Sequence, residues 1–339
     1  MAPRANRNAS ASADAGGERR RRPTIRDVAA AVGVSVGTVS RAMNERSGVH
    51  PDTRRRVLEA AERLGFDPDR AARELSVRRA VTVALSMAHG YRRLTPFFAL
   101  FLEHLTTNLA LGGLRVDDVP TGPDGLPVRD ADAFVLLGAH PDDPRLLALG
   151  RRGAPFVLVG RHPDVRCVAA DDEAGGRVAA EHLLRLGHRD LALVQGPPHG
   201  QAMADRRRGF AAALHAAGLP PAEEYVAPDG SSLDAYRALR AALEGGARPT
   251  AVFAASDEMA VGCIAAAADC GLRVPTDLSV IGFDDMPEIG DRLTTVRQDI
   301  AALARETVTL LHEALRGEPT RSLLLPVNLI SRGTTAARR

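Results

Sequence analysis

The residues with the clearest chemical potential lie close together near the N-terminus, in TIRDVAAAVGVSVGTVSRAMN from Thr24 to Asn44. Val36, Gly37, Ser40 and Arg41 fall on or near one face of a short helical segment, with Ser35 placed to cap it. Small polar side chains beside a guanidinium can meet the phosphates and base edges of a nucleic-acid duplex. No comparable grouping exists for catalysis. Neither GxSxG nor HExxH occurs, and the absence of any lysine removes a Walker A lysine. The ten histidines are scattered, and His182 and His188 stand six apart, a poor spacing for a metal on a helix. The chain is therefore read as a binding protein rather than an enzyme, with no cofactor and no metal.

Such side chains need a rigid support, and the local pattern supplies one. Thr24 is a good N-cap ahead of Ile25, Val28, Ala29 and Val32, which recur at helical spacing. Gly33 ends that helix, Val34 fills the angle to the next, and Val39 and Ala42 continue the inner face. A third helix is expected from about Pro51 to Leu64, with Gly65 as its stop. Three short helices with a polar face suit a helix-turn-helix entering a major groove.

From Val81 the pattern changes. Short apolar runs at Val81–Met87, Ala133–Leu137, Pro155–Val159, Leu191–Gln195, Ala251–Ala255 and Ser279–Phe283 read as buried parallel strands. Helices between them include Pro96–Leu111, Gly175–Leu186, Arg206–Ala217, Leu233–Leu243 and Asp257–Cys270. The alternation implies an α/β fold of doubly wound parallel sheets, with a ligand cleft at the strand C-termini.

Composition agrees with two partners of different kinds. The total charge of +2 hides a segment from Arg19 to Arg79 with 15 Arg and 8 acids, net +7, which leaves −5 for the body from Ala80 onward. A basic head on an acidic body points to a polyanion for the head alone. No apolar run approaches a membrane span, and the first 22 residues read as a disordered tail without the apolar core of a secretory signal. Cys167, Cys263 and Cys270 are odd in number and lack metal or redox spacing, which fits a reducing cytoplasm.

The head, with its third helix DTRRRVLEAAERLGF and the following PDRAARELS, closely resembles the DNA-binding head of LacI/GalR family transcription regulators. The body resembles the same family through DDEAGGRVAAEHLLRLGHRDLALVQGP, RRRGF, GLRVPTDLSVIGFDD, LTTVRQD and LLPVNLISRGTT. The resemblance implies a tail over residues 1–22, a helix-turn-helix domain over 23–68, a hinge helix and linker over 69–79, and a two-lobed periplasmic-binding-protein-like body over 80–339. It implies base reading by Val36, Gly37 and Arg41, and further DNA contacts from Thr24, Ser35, Thr38, Ser40 and Asn44. Arg41 can fork onto a guanine edge and Val36 can touch a thymine methyl, whereas Gly37 has no side chain to read with. In the hinge, RAARELSV at 70–77, Ala72 and Leu75 would meet the minor groove, with Leu75 as the wedge; packing between domains is the alternative for Leu75. Asp69 stands where an asparagine is usual.

For the body the resemblance implies effector contacts from Arg206, Ser256, Asp284 and Gln298. Asp284 would accept hydrogen bonds from a polyol; a helix cap at Asp284–Asp285 is the competing reading. Three departures from the family stand out: Gly160 for an aspartate, Ser256 for an asparagine, and Gly230 near a stacking aromatic. The polar loop His89, Gly90, Tyr91, Arg92 and Arg93, with Arg161 and Arg206, raises the option of an anionic or phosphorylated effector. The expectation is a cytoplasmic, nucleoid-associated homodimeric repressor, binding operator DNA and a small carbohydrate-like effector and not a membrane. No leucine-heptad extension follows ISRGTT, so no coiled-coil tetramer is expected. The alternative is a periplasmic-type sugar-binding protein without regulatory DNA binding. If the hinge reading holds, Leu75→Ala weakens operator binding in a mobility-shift assay and leaves effector affinity unchanged; unchanged operator binding removes the wedge.

Overall fold

The structure, a computed structural model, describes residues 25–43, 50–64, 81–88, 94–117, 122, 131–138, 143–197, 200–289 and 291–338. The calls on the tail, Thr24, Asn44, the hinge with Ala72 and Leu75, and the loop 89–93 lie outside them. Two compact units are present, 1–80 and 81–339, each with its own core.

In the head, α1 (Ile25–Val32), α2 (Val36–Met43) and α3 (Pro51–Leu64) follow the apolar spacing. Val28, Ala29, Val32, Val39, Ala42, Val57, Ala60 and Ala61 are buried together, so each helix contributes one stripe to a small shared core. The tight turn rests on Gly33, whose φ of 72° is left-handed, while the Gly33 and Val34 N–H groups both reach the Ala29 carbonyl. Arg56 of α3 donates to the Val32 carbonyl at 2.9 Å, satisfying another orphan acceptor at the end of α1.

Among the described residues the body holds two six-stranded sheets. The first lobe contains β1 (Val81–Met87), β2 (Leu114–Asp117), β3 (Ala133–Leu137), β4 (Phe156–Val159), β5 (Cys167–Ala170) and β11 (Ser322–Leu325), in the order β11-β5-β4-β3-β1-β2. The second contains β6 (Leu191–Gln195), β7 (Glu223–Val226), β8 (Ala251–Ala254), β9 (Ser279–Asp284), β10 (Thr294–Gln298) and β12 (Val327–Ile330), in the order β12-β10-β9-β8-β6-β7. All pairings are parallel except β10 with β12. In the first lobe α4 (Pro96–Leu111), α5 (Pro144–Arg152) and α10 (Ile300–Leu315) accompany the sheet; in the second, α6 (Asp172–Arg185), α7 (Gln201–Ala216), α8 (Ser232–Glu244) and α9 (Asp257–Asp269) do. The chain passes to the second lobe after β5, returns for α10 and β11, and crosses again before β12.

The expected strands and helices recur, with two shifts that matter for the site. Helix α6 starts at Asp172 and not Gly175, and α7 starts at Gln201 and not Arg206. Arg206 therefore lies in the second turn of α7, not at its end. Acidic and small residues at these starts weaken apolar periodicity; the Asp171 side chain caps α6 by accepting from the Ala174 N–H, and α7 begins where the Gly200 carbonyl accepts from the Ala204 N–H.

Helices α6 and α7 touch backbone to backbone. A Cβ on Gly176 would stand 1.9 Å from the Arg206 carbonyl oxygen, and one on Gly209 would stand 1.8 Å from the Glu173 carbonyl oxygen. Only hydrogen fits there. Gly176→Ala is expected to lower stability by about 1–3 kcal/mol through overpacking. Gly150→Ala, on a helix with nothing within 4 Å of the new Cβ, is expected to be neutral or stabilising. Urea denaturation of both variants checks this, and equal midpoints would refute the close approach.

Candidate functional site

Between the lobes lies a cavity of about 590 Å³, and Arg206, Ser256, Asp284 and Gln298 all line it. The α6–α7 contact brings Arg206 to the cavity while burying it to 5% exposure. A guanidinium taken out of water needs compensation from every side. Its Nε donates to Asp172 Oδ1 at 2.8 Å and its Nη1 to the Ala255 carbonyl at 2.6 Å. Nη1 also lies 3.5 Å from Asp284 Oδ1, and the guanidinium carbon sits 3.5 Å from the centre of the Phe283 ring.

Asp284 ends β9 with φ of 120°, a conformation that residues other than glycine seldom adopt. Gln298 Nε2 donates to its Oδ1 at 2.6 Å. Burial pushes the Asp284 carboxyl up to about 7; Asp257 and Asp172 act in the same direction, while Arg206 and Gln298 oppose them. Burial likewise raises Asp172 against the pull of Arg206. Asp257, at the start of α9, is raised to about 6 by burial, though it accepts from the Thr295 hydroxyl at 2.5 Å and the Met286 N–H at 2.7 Å.

The neighbouring Asp285 has a different task. It is clamped by Arg332 at 2.6 Å and Arg297 at 2.6 Å. Asp284 thus faces the cavity while Asp285 anchors the strand end. Ser256 caps α9, accepting from the Met259 N–H at 3.2 Å, and also lines the cavity.

Some residues at this site went unremarked in the sequence. Asp172 is the main partner of Arg206, and its only linear signal was its place in DDEAGG, just before the close-packed glycines. Phe97 and Phe98 line the cavity from the first lobe, placing rings there although Gly230 provides none. Thr95 caps α4 by accepting from the Phe98 N–H at 3.3 Å and lines the cavity too.

The anionic-effector option loses support among the described lining residues. Both lining arginines are already paired: Arg206 with Asp172 and Asp284, and Arg161 with Asp205 at 3.0 Å. Asp172, Asp205, Asp229, Glu258 and Asp284 give the lining five acids against those two cations.

In the head, Ser35 caps α2 by accepting from the Thr38 N–H at 3.1 Å, and the two hydroxyls lie 2.9 Å apart. Ser35, Val36 and Gly37 are exposed, and Val36 keeps 41% of its surface accessible. Val39 is fully buried, so the start of α2 offers its outer side to a partner. Ser40 and Arg41 lie within the helical span.

A helix-turn-helix unit followed by a two-lobed body, with an interlobe cavity that sets a few polar groups in apolar surface, defines a ligand-responsive DNA-binding regulator. Residues 24–69 match the family of bacterial regulatory proteins, lacI family, and residues 180–335 match the periplasmic binding protein-like domain. The HTH-type transcriptional regulator CelR of Thermobifida fusca is 36% identical, covering 92% of this chain and 96% of that protein. The lactose operon repressor of Escherichia coli is 28% identical over 93% of this chain and 91% of the repressor. Among solved structures, a CelR–cellobiose complex superposes with a TM-score of 0.66 at 31% identity, covering 92% of this chain and all of that one. The lac repressor dimer bound to operator and an anti-inducer gives a TM-score of 0.69 at 26% identity, covering 94% of this chain and all of that one. The chain belongs to the LacI family and is a transcription regulator. Among the described residues no helix is long and apolar enough to cross a membrane.

The raised carboxyls make a signed prediction. Asp284 holds its proton more tightly folded, at about 7, than at its ordinary 3.8, so folding takes up a proton between those values. The stabilisation from that proton is complete below the ordinary value and is lost as pH rises through about 7. Asp284→Asn, which carries no titrating proton, should therefore gain in Tm over the wild type more at about pH 8 than at about pH 5. Thermal melts across that range check it; a pH-independent difference would refute the shift.

Proposed function

We propose that this protein is a homodimeric repressor whose operator affinity is set by a neutral carbohydrate or carbohydrate derivative bound in the interlobe cavity. The observation that carries the reading is the buried Asp172–Arg206–Asp284–Gln298 set, which holds fixed donors and acceptors against a cavity of about 590 Å³. Such a volume falls in the range of small-molecule sites, and convergent polar groups beside aromatic surface suit a ligand with hydroxyls and apolar ring faces. With the lining arginines already paired, a neutral ligand is favoured over a phosphorylated one. Relatives agree in kind: one regulator was solved with cellobiose, and one from Enterococcus faecium with ribose.

In the head, Arg41 and Val36 carry base reading, while Ser35, Thr38, Ser40 and, beyond the described residues, Thr24 and Asn44 set register on the phosphates. Ala72 and Leu75 of the hinge enter the minor groove. Two heads on adjacent half-sites require a two-fold dimer. Ligand closing the lobes shifts operator affinity by a coupling of about 1–3 kcal/mol. This function needs no catalytic group and places the protein on DNA in the cytoplasm. A binding protein without regulatory DNA contact would leave the exposed start of α2 without a task.

Mobility shifts on DNA upstream of the protein's own and neighbouring genes test the reading. The expected result is a salt-sensitive, sequence-selective shift that neutral sugars such as cellobiose alter and phosphorylated sugars do not. Arg41→Ala should relax discrimination at one base position by about 1–3 kcal/mol. The absence of any selective shift with and without sugars overturns the regulator reading; a response confined to phosphorylated sugars overturns the neutral-ligand reading.

A further inference from the structure

At the rim of the cavity a cation of the first lobe reaches across to acids of the second. Arg161 follows β4 and lines the cavity. Its Nη2 lies 3.0 Å from Asp205 Oδ2 on α7 and 3.9 Å from Glu173 Oε2 on α6. Its backbone N–H donates to Gln201 Oε1, in the first turn of α7, at 3.2 Å. A charged contact and a neutral one therefore join the same residue to the opposite lobe.

The acids are prepared for it within their own lobe. Arg208 Nη2 lies 2.8 Å from Glu173 Oε2 and 2.5 Å from Asp205 Oδ1, which leaves Asp205 Oδ2 facing Arg161. The pair is also asymmetric in burial: the Asp205 side chain is 7% exposed and that of Arg161 is 42%. A buried acid holds its direction, whereas a half-exposed arginine can return to water at small cost. An attraction of that kind is modest, reversible and screened by salt, as a contact that must open and close requires.

We propose that Arg161 is a positioning residue for effector binding, drawing the first lobe onto Asp205 and Glu173 and so holding the cleft closed over its ligand. The idea rests on the cleft being the effector site and assigns that site a closing element. Because Arg161 is engaged with carboxylates, it acts on the ligand through lobe position and not as an anion receptor. Loss of the contact leaves the Asp172–Arg206–Asp284 set in place, since those residues belong to the second lobe.

The test measures lobe separation in the full chain without ligand, so it stands or falls separately from the identity of the effector. Spin labels on Leu147→Cys, exposed in the first lobe, and Ala216→Cys, exposed in the second, report the distance by pulsed electron resonance, with Cys270→Ser removing the least buried native thiol. Arg161→Ala and Asp205→Asn are each expected to shift the distribution to longer distances. The double variant should shift no further than the single ones, because both remove the same contact. Arg161→Lys should recover part of the short population, and added salt should lengthen the wild-type distance. An unchanged distribution in Arg161→Ala, or additive shifts in the double variant, overturns the proposal. Thermal melts establish that each variant is folded; if Arg161→Ala is not, the wild-type salt titration decides, and a salt-independent distribution overturns it.

Discussion

A guanidinium buried to 5% exposure imposes conditions on everything around it, and Arg206 is such a group. Removing an ion from water costs several kcal/mol before any partner is found. The second lobe meets that cost with a carboxylate, a carbonyl and a ring face, supplied by Asp172, Ala255 and Phe283. Asp172 reaches Arg206 because α6 and α7 approach until their backbones touch at Gly176 and Gly209, while Ala255 and Phe283 come from the ends of β8 and β9. The glycines serve contact here, not flexibility. Any side chain at either position would separate Arg206 from Asp172.

The compensation is deliberately incomplete on the cavity side. Burial raises the carboxyls of Asp172, Asp257 and Asp284, and at Asp284 the nearby charges of Asp257 and Asp172 push the same way. Asp284 stays beside the cavity because Gln298 donates to it and because Asp285 next to it is clamped by Arg297 and Arg332. Asp257 secures the following residue, Met286, through its N–H. The positive φ of Asp284 is thus held from both sides, which is how backbone strain persists at a site. Fixed acceptors and donors arranged in this way present a preorganised polar surface at the cavity. The head achieves rigidity by another route, a core of eight small or branched apolar side chains beneath a short exposed helix. At the exposed start of that helix Gly37 leaves one position without a side chain.

Much of the fold was legible in the linear chain. The first two head helices announced themselves through the 3.6-residue recurrence of Val28, Ala29, Val32, Val39 and Ala42 and through the Gly33 stop, the third through Pro51 at its start and Gly65 after it. Three of the buried strands, Val81–Met87, Ala133–Leu137 and Leu191–Gln195, have the bounds expected from their apolar runs. Short or exposed strands such as Glu223–Val226 carry no such run and passed unnoticed. The polar starts of α6 and α7 were placed late for the same reason. Within the cavity, Arg206, Ser256, Asp284 and Gln298 were named from family likeness; Asp172 and Phe97 were not, because their neighbours in the chain do not say what they face across the fold.

The division follows from the range of the forces involved. Helix periodicity, capping and turn glycines act within a few residues, so the sequence by itself determined the helix-turn-helix, the strand–helix alternation and the basic head on an acidic body. Charge compensation acts through space in a medium of low polarity, where distance along the chain is irrelevant. Only the tertiary structure could decide that Asp172 balances Arg206, that Asp257 holds Met286, and that Arg161 turns to the acids of the other lobe. The same physics weakens the anionic-effector option at the described lining: counted along the chain the arginines look available, but in the folded protein Arg161 and Arg206 each already face a carboxylate, while Arg92 and Arg93 lie outside the described residues.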